Sequence, residues 1–175
     1  HYKYQKERWF LESVDLYCEA VKCLVHDLSL AEIKSRGFLA IREYLTAYIG
    51  SEIFTSLLKE TKTLIADLAS VKYALLIKDN SINVRKYESE IDYSLKVEET
   101  FAKFKQGAVK DYRVKFSEWT DMNHIEAQIL DLVAKLYSDI FSNLDNFCTK
   151  HLNYLDKGIG TFDREIQFYI AYLEY

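Results

Sequence analysis

Two short motifs place metal-binding side chains close together in this sequence. His124 and Glu126 have the H-x-E spacing of zinc deaminases, in which a metal-bound His and a proton-shuttling Glu share one pocket. The P-C-x-x-C that completes such a site is missing, so this spacing favours a capped helix start. Cys148 and His151 would lie on one helix face, but a structural zinc site needs four ligands. We predict an ordinary helix surface there and no metal site.

The remaining polar motifs also lack the partners that catalysis requires. Gly158 and Gly160 have neither the third glycine nor the preceding strand of a dinucleotide site, so they indicate a turn between helices. Asp163 and Glu165 lie two residues apart and point to different sides of a helix, and with Glu174 they indicate a solvated acidic face. The sequence contains no phosphate-binding loop, nucleophile elbow or H-E-x-x-H motif. We predict no catalytic, cofactor-binding or metal-binding residue in this chain.

Basic side chains are concentrated in the middle of the chain. Residues 72–117 contain 10 Lys or Arg and 7 Asp or Glu, whereas residues 118–175 contain 4 and 10, and the whole chain has a net charge of -4. Only the middle segment is therefore suited to bind double-stranded DNA, which requires clustered cations. The candidate DNA contacts are Lys78, Arg85, Lys86, Lys110, Arg113 and Lys115. The alternative is that these charges protect the edges of strands against aggregation.

The chain is rich in aromatic residues, with 14 Tyr, 10 Phe and 2 Trp. They cluster near both ends of the chain, at Trp9, Phe10, Phe168, Tyr169, Tyr172 and Tyr175. One interpretation is a core whose tyrosine hydroxyls reach its rim, and the other is a docking surface for further domains.

Hydrophobic periodicity predicts the helices that carry these residues. Helical spacing of apolar residues predicts helices over 3–26, 30–49 and 51–69, with a bend at Gly37 and a cap at Ser51. Further helices are expected over 94–106, 123–136 and 139–154, and a last one after Gly160. Asn123 and Glu126 have the spacing of a capping box.

A change of period from 3.6 to 2 predicts strands in the middle of the chain. Residues 71–78 and 82–87 are rich in β-branched and aromatic side chains, and the turn-forming residues 79–81 separate them. We predict a β-hairpin, with a candidate further strand over 112–119. The fold class is therefore mainly α, a bundle of long helices with an inserted small β-hairpin or short sheet.

Composition narrows the class of protein further. The chain has 175 residues, 49% of them apolar, and no proline, which excludes Pro-rich linkers and favours long helices. No apolar run approaches the roughly 20 residues of a membrane span, and the three cysteines fit reduced thiols, so we expect a cytoplasmic protein with no membrane partner. Met122 is the sole methionine, and we expect the chain to be a piece of a longer protein.

Five stretches of sequence together carry a family resemblance, namely QKERWFL at 5–11, YCEAV at 17–21, EIDYS at 90–94, MNHIEA at 122–127 and FDREIQFY at 162–169. They resemble a bacterial branch of the MutS-like DNA mismatch-repair ATPases, in the region upstream of their ATPase domain. The resemblance implies a single core and lever domain over 1–175, with 72–117 as a small clamp-like insertion that grips DNA.

The same resemblance implies that the chemistry lies elsewhere in the parent protein. ATP and Mg would bind the ATPase domain, which also forms the homodimer, and ATP-driven motion would reach the levers from there. Within this chain we expect no catalysis, contacts with other domains of the parent, and DNA bound by the basic segment. The alternative function is a stand-alone helical domain for protein–protein interaction.

Overall fold

The computed structural model describes residues 2–79, 81–89, 93–104 and 122–173. Within them the chain forms α1 (Lys3–Leu30), α2 (Arg36–Ile49), α3 (Glu52–Ala69), β1 (Tyr73–Lys78), β2 (Ser81–Lys86), α4 (Tyr93–Phe104), α5 (His124–Leu136), α6 (Ser138–Lys150) and α7 (Lys157–Leu173). This mainly α fold with an inserted hairpin confirms the predicted fold class. The candidate strand at 112–119 and the candidate contacts Lys110, Arg113 and Lys115 lie outside the described residues.

The chain divides into two compact units. One consists of residues 2–71 and 137–175 and is called the helical unit below, and the other consists of residues 72–136 and is called the hairpin unit. The chain therefore leaves the helical unit after α3, forms the hairpin unit, and returns at the start of α6. The insertion expected over 72–117 begins at the same residue as the hairpin unit, and its residues 105–117 are not described.

The core of the helical unit forms because one face of α1 is apolar along most of its length. Leu11, Val14, Cys18 and Val21 are all buried and follow one another at helical spacing. Phe10 and Tyr17 of the same helix are only partly buried and lie at the edge of the core. Helices α2, α3 and α6 pack against α1 and contribute further buried residues, namely Leu45, Phe54, Leu57, Leu64, Leu144 and Phe147.

Helix ends follow local hydrogen bonding. The Ser51 hydroxyl accepts a hydrogen bond from the Phe54 amide at 3.3 Å, which confirms the predicted cap of α3. The capping box of α5 is also confirmed, because the Asn123 side chain accepts from the Ile125 and Glu126 amides at 2.9 Å, while the Glu126 carboxylate accepts from the Asn123 amide.

Several predicted helix boundaries were wrong. Helix α1 continues to Leu30, residues 31–35 are not helical, and α2 begins at Arg36, so Gly37 lies in a first turn and marks no bend. The turn expected at Gly158 and Gly160 lies earlier, at residues 151–156, because Asp156 caps α7 and both glycines fall inside its first turns.

The hairpin unit is built on a two-stranded antiparallel sheet. Tyr73 pairs with Lys86 and Lys78 pairs with Ser81, so the first strand is followed by a short connection that begins at Asp79. Asp79 has a φ of 52°, a conformation that Asp and Asn tolerate better than most residues. Helix α5 lies beside β2, which gives the hairpin the additional packing that an isolated pair of strands needs.

Candidate functional site

The pairing of the hairpin strands determines which cations share a surface. Directly paired residues point to the same side of a sheet, and successive residues alternate. Arg85 pairs with Ala74, and Lys78 pairs with Ser81, so Arg85 and Lys78 lie on one face, called the Arg85 face. Lys86 pairs with Tyr73 and lies on the opposite face, called the Lys86 face. The three cations predicted as one DNA contact are therefore divided between two faces.

The two faces differ in chemistry. The Arg85 face also carries Asn83, Leu76, Ser81 and Ala74, whereas the Lys86 face is otherwise apolar, with Tyr73, Leu75, Ile77, Ile82 and Val84. Lys78, Arg85 and Lys86 are all exposed, and so is most of Ile77, whose side chain is 75% accessible. Both faces thus offer surface to a partner, but only the Arg85 face combines two cations with further polar groups.

The two motifs with the spacing of metal ligands, His124/Glu126 and Cys148/His151, make structural contacts. Glu126 closes the capping box of α5, and His124 is the exposed first residue of that helix. Cys148 faces α1, with its Sγ 3.8 Å from the Glu7 carbonyl oxygen, while His151 turns to α3 and lies 2.9 Å from Glu60. Among the residues that the structure describes, no three His, Cys, Asp or Glu side chains are arranged to hold a metal ion.

The thiols of Cys18 and Cys148 are unreactive at neutral pH. Burial raises the pKa of both Cys18 and Cys148 to about 11, so neither thiol forms a reactive thiolate at neutral pH. Cys23 is exposed, and all three cysteines are free thiols.

A hydrogen-bonded network that the sequence analysis missed holds the start of α7. The Tyr44 hydroxyl donates to the Asp156 carboxylate at 2.8 Å, and the Asp156 amide donates to the Tyr17 oxygen at 3.2 Å. The Tyr17 and Tyr48 hydroxyl oxygens are 3.0 Å apart. These four residues, called the tyrosine–aspartate network, connect α1 and α2 to α7. Tyr44 and Tyr48 are four residues apart on α2, which was the available signal that both hydroxyls share a face.

The environment keeps these tyrosines in their neutral form. Burial raises the pKa of Tyr17 and of Tyr48, and the hydrogen bond to Asp156 raises the pKa of Tyr44. A neutral hydroxyl is a hydrogen-bond donor, so the network is stable around neutral pH. The network connects three helices through hydrogen bonds between side chains and one backbone amide.

Gly158 makes this network sterically feasible. A Cβ atom at this position would lie 2.7 Å from the Tyr44 hydroxyl oxygen and 2.8 Å from its Cζ. The missing side chain therefore lets the Tyr44 ring cross the first turn of α7 and reach Asp156. This explains Gly158 without any phosphate or dinucleotide.

Glu60 organises a second polar cluster between α3 and α6. Its carboxylate accepts from Lys150 Nζ at 2.7 Å and lies 2.9 Å from His151 Nε2, and the hydrogen bonds with His151 and Lys150 lower its pKa. Beside this cluster is an open groove of about 450 Å³, whose lining includes Ser56, Lys59, Asn143 and Asn146. Because the Glu60 carboxylate is already engaged by Lys150 and His151, it is poorly placed to act as a base on a ligand.

The end of α7 exposes the most aromatic surface of the helical unit. Phe162 packs edge to face on Phe38 of α2, but beyond it Phe168 is 69% and Tyr172 is 73% accessible, and the helix has no buried residue. An apolar groove of about 540 Å³ runs between α2 and α7, lined by Phe38, Phe162, Ile166, Tyr169, Ile170 and Leu173, among others. The aromatic residues are thus divided between a core with hydroxyls at its rim and an exposed helix end.

No helix within the described part of the chain has the length and apolar content needed to cross a lipid bilayer. Comparisons of the chain with models of known protein families, with curated proteins and with solved structures gave no significant match.

Proposed function

We propose that this chain is a non-catalytic core and lever domain of a MutS-like DNA mismatch-repair ATPase, and that it couples ATP-driven motion to DNA binding. The observation that carries the proposal is the order of the two units along the chain. A helical unit is interrupted after α3 by a hairpin unit and is completed by α6 and α7. This order is what the sequence resemblance implies for a lever with a clamp inserted into it.

The chemistry of the hairpin supports a role in binding DNA. Lys78, Arg85 and Lys86 are exposed cations on two short strands, and phosphate contacts by such side chains release counterions from DNA. The network at the start of α7 supports the lever role, because polar contacts between α1, α2 and α7 let these helices move as one body. In this proposal ATP and Mg bind the ATPase domain of the parent, which acts as a homodimer in the cytoplasm.

A mobility-shift experiment tests the DNA-binding part of the proposal. The 175-residue chain is titrated into a short labelled DNA duplex at several salt concentrations. We expect binding at low salt that weakens as salt increases, and we expect Lys78→Glu, Arg85→Glu and Lys86→Glu together to abolish it. The matched control changes Lys6, Lys34 and Lys157, exposed lysines of the helical unit, to Glu, so that the net charge changes equally.

Two results would contradict the DNA-binding part of the proposal. One is a chain that fails to bind the duplex even at low ionic strength, and the other is binding that survives the hairpin substitutions. A fragment that hydrolysed ATP would contradict the non-catalytic role. An ATPase assay on the same preparation therefore accompanies the titration.

A second candidate function is a helical domain for protein–protein interaction. The observation that favours it is the exposed end of α7, where Phe168, Tyr169 and Tyr172 present aromatic surface. Aromatic side chains are frequent anchors in protein interfaces. This alternative predicts no binding of the duplex at any salt concentration, which the same titration distinguishes from the first proposal.

A further inference from the structure

The division of the hairpin into two faces gives a more specific expectation than a basic segment alone. We infer that the hairpin meets the phosphates of a DNA duplex with its Arg85 face and not with its Lys86 face. This inference rests on the proposed function, because it specifies which surface of the hairpin performs the DNA contact.

The spacing of charge on the Arg85 face suits a DNA backbone. Lys78 lies opposite Ser81, and Arg85 is four residues from Ser81 along β2, so the two charged positions are about 13 Å apart at the usual rise of a strand. One strand of a duplex presents a phosphate about every 3.4 Å along the axis, so the two side chains reach different phosphates. Arg85 can bind a phosphate with two parallel hydrogen bonds.

The neighbours of these cations are compatible with a hydrated, charged partner. Asn83 lies on the same face between them and is exposed. Ser81 donates its hydroxyl to the Lys78 carbonyl at 2.8 Å, which fixes the end of the strand next to Lys78. The Arg85 face therefore offers three exposed polar side chains, Lys78, Asn83 and Arg85, to phosphate oxygens.

The Lys86 face is a poor match for the same partner. Lys86 is its single charged residue and lies at the end of β2, next to Tyr73, whereas Leu75, Ile77, Ile82 and Val84 occupy the rest of the face. Placing phosphates against these apolar side chains would remove water from the phosphates without replacing their hydrogen bonds, which is costly. The difference between the faces therefore favours contact through Lys78 and Arg85.

Three single substitutions test this inference because each removes one positive charge from the hairpin. They are Lys78→Ala, Arg85→Ala and Lys86→Ala, and the last two are neighbours in β2. Binding of the full chain to a labelled duplex is measured at several salt concentrations. Each lost phosphate contact reduces the slope of log affinity against log salt by about 0.9. We expect that reduction for Lys78→Ala and Arg85→Ala and an unchanged slope for Lys86→Ala.

The outcomes separate the inference from the proposal on which it rests. If the wild-type chain binds and Lys86→Ala reduces the slope as much as Arg85→Ala, the inference is wrong and DNA binding stands. If the chain binds and none of the three variants changes the slope, the hairpin is not the contact and the inference is also wrong. If the wild-type chain does not bind the duplex, the proposed function fails, and the inference fails with it.

Loss of the hairpin fold must be distinguished from loss of a contact. Circular dichroism and urea unfolding of each variant report whether the chain as a whole still folds. In addition, Arg85→Lys retains the charge, so it should retain the wild-type slope even if the bidentate hydrogen bonds are lost. A reduced slope in a folded Arg85→Lys variant would count against a contact that depends on charge at this position.

Discussion

Two carboxylates of the helical unit have opposite environments. Glu7 is only 9% accessible and lies 3.6 Å from Lys3, and its buried Oε2 has no hydrogen-bond donor among the residues that the structure describes. Burial raises the pKa of Glu7 above the ordinary 4.5. Glu60 accepts hydrogen bonds from His151 and Lys150, which lower its pKa. Because the pKa of Glu7 is raised and that of Glu60 is lowered, the two carboxylates make stability depend on pH in opposite ways.

The signs follow from which state of the chain holds the proton more tightly. The folded chain holds the Glu7 proton more tightly than the unfolded chain, so the contribution of Glu7 to stability is lost as pH rises through and above 4.5. The folded chain holds the Glu60 proton less tightly, so the contribution of Glu60 is present above 4.5 and is lost as pH falls below it.

We therefore predict opposite behaviour for Glu7→Gln and Glu60→Gln. The free energy of unfolding of each variant, relative to wild type, is measured in urea between about pH 3 and about pH 7. Glu7→Gln should gain stability relative to wild type as pH rises, because it removes a buried charge. Glu60→Gln should lose stability relative to wild type over the same range. Parallel curves for the two variants would contradict the assigned environments.

Some contacts of single side chains could be predicted from the sequence, and others could not. The capping roles of Ser51, Asn123 and Glu126 were predictable because their hydrogen bonds span only three residues. The contacts of Lys3 with Asp145 and of Glu60 with His151 were not predicted, because partners far apart in the sequence meet only when α1, α3 and α6 pack.

Helix α7 depends more on polar contacts at its start than on burial along its length. Tyr44, Tyr17 and Asp156 hold its first turn, and no residue of the helix is buried. Helices with few buried apolar contacts open locally at a lower free energy than the core. The Tyr44 hydrogen bond should therefore govern how often α7 separates from α2.

We predict that Tyr44→Phe increases hydrogen exchange of α7 amides while leaving the core of α1 unchanged. Loss of one such hydrogen bond costs about 1 kcal/mol, which corresponds to roughly five-fold faster exchange by local opening. Exchange is measured by mass spectrometry on peptides from 157–173 and from 11–21. Tyr172→Phe, at an exposed tyrosine of α7 itself, is the matched control and should change nothing.

Gly158→Ala provides an independent check of the same contact. The added Cβ would displace the Tyr44 ring, so the hydrogen bond to Asp156 should already be lost in this variant. Adding Tyr44→Phe to Gly158→Ala should then have little further effect on exchange. Additive effects of the two substitutions would show that Tyr44 acts on α7 by another route.

The existence of each helix was easier to predict than its ends or its buried face. The apolar period identified both α1 and α3, but that period also includes Phe10 of α1, which is only partly buried, and Ile53 of α3, which is 76% accessible. Neighbouring helices determine which part of a wide apolar surface is covered, and one sequence does not specify them.

The helical unit is formed by two segments that are separated in the sequence. Residues 2–71 supply α1, α2 and α3, and residues 137–175 supply α6 and α7. The buried residues of this unit come from both segments, since Leu144 and Phe147 complete the cluster around Val14 and Leu57. The unit therefore contains its own core without residues 72–136.

We predict that the helical unit folds when the hairpin unit is removed. Residues 72–136 are replaced by a flexible Gly/Ser linker long enough to join the two segments without strain. Circular dichroism should show a helical protein that unfolds cooperatively in urea, and the shortened chain should no longer bind the DNA duplex. A shortened chain that remained unfolded would show that the hairpin unit contributes to the helical core.

The insertion predicted from the sequence, residues 72–117, is shorter than the hairpin unit, which extends to residue 136. The change from helical to strand period at residue 71 marked the beginning of the hairpin unit in the sequence. Its end was less visible, because α5 has the same apolar period as the helices of the other unit, yet belongs with the hairpin beside β2. Sequence period identifies the type of an element but not the unit to which it belongs.

The two-segment core of the helical unit has a consequence for synthesis of the protein on the ribosome. Leu64 is translated about 80 residues before Leu144, and at roughly 5–20 residues per second the delay is about 4–16 s. During that interval the apolar face of α1 is without α6. Nascent α1, α2 and α3 should therefore be a target for chaperones that bind exposed apolar helices, until translation delivers Phe147.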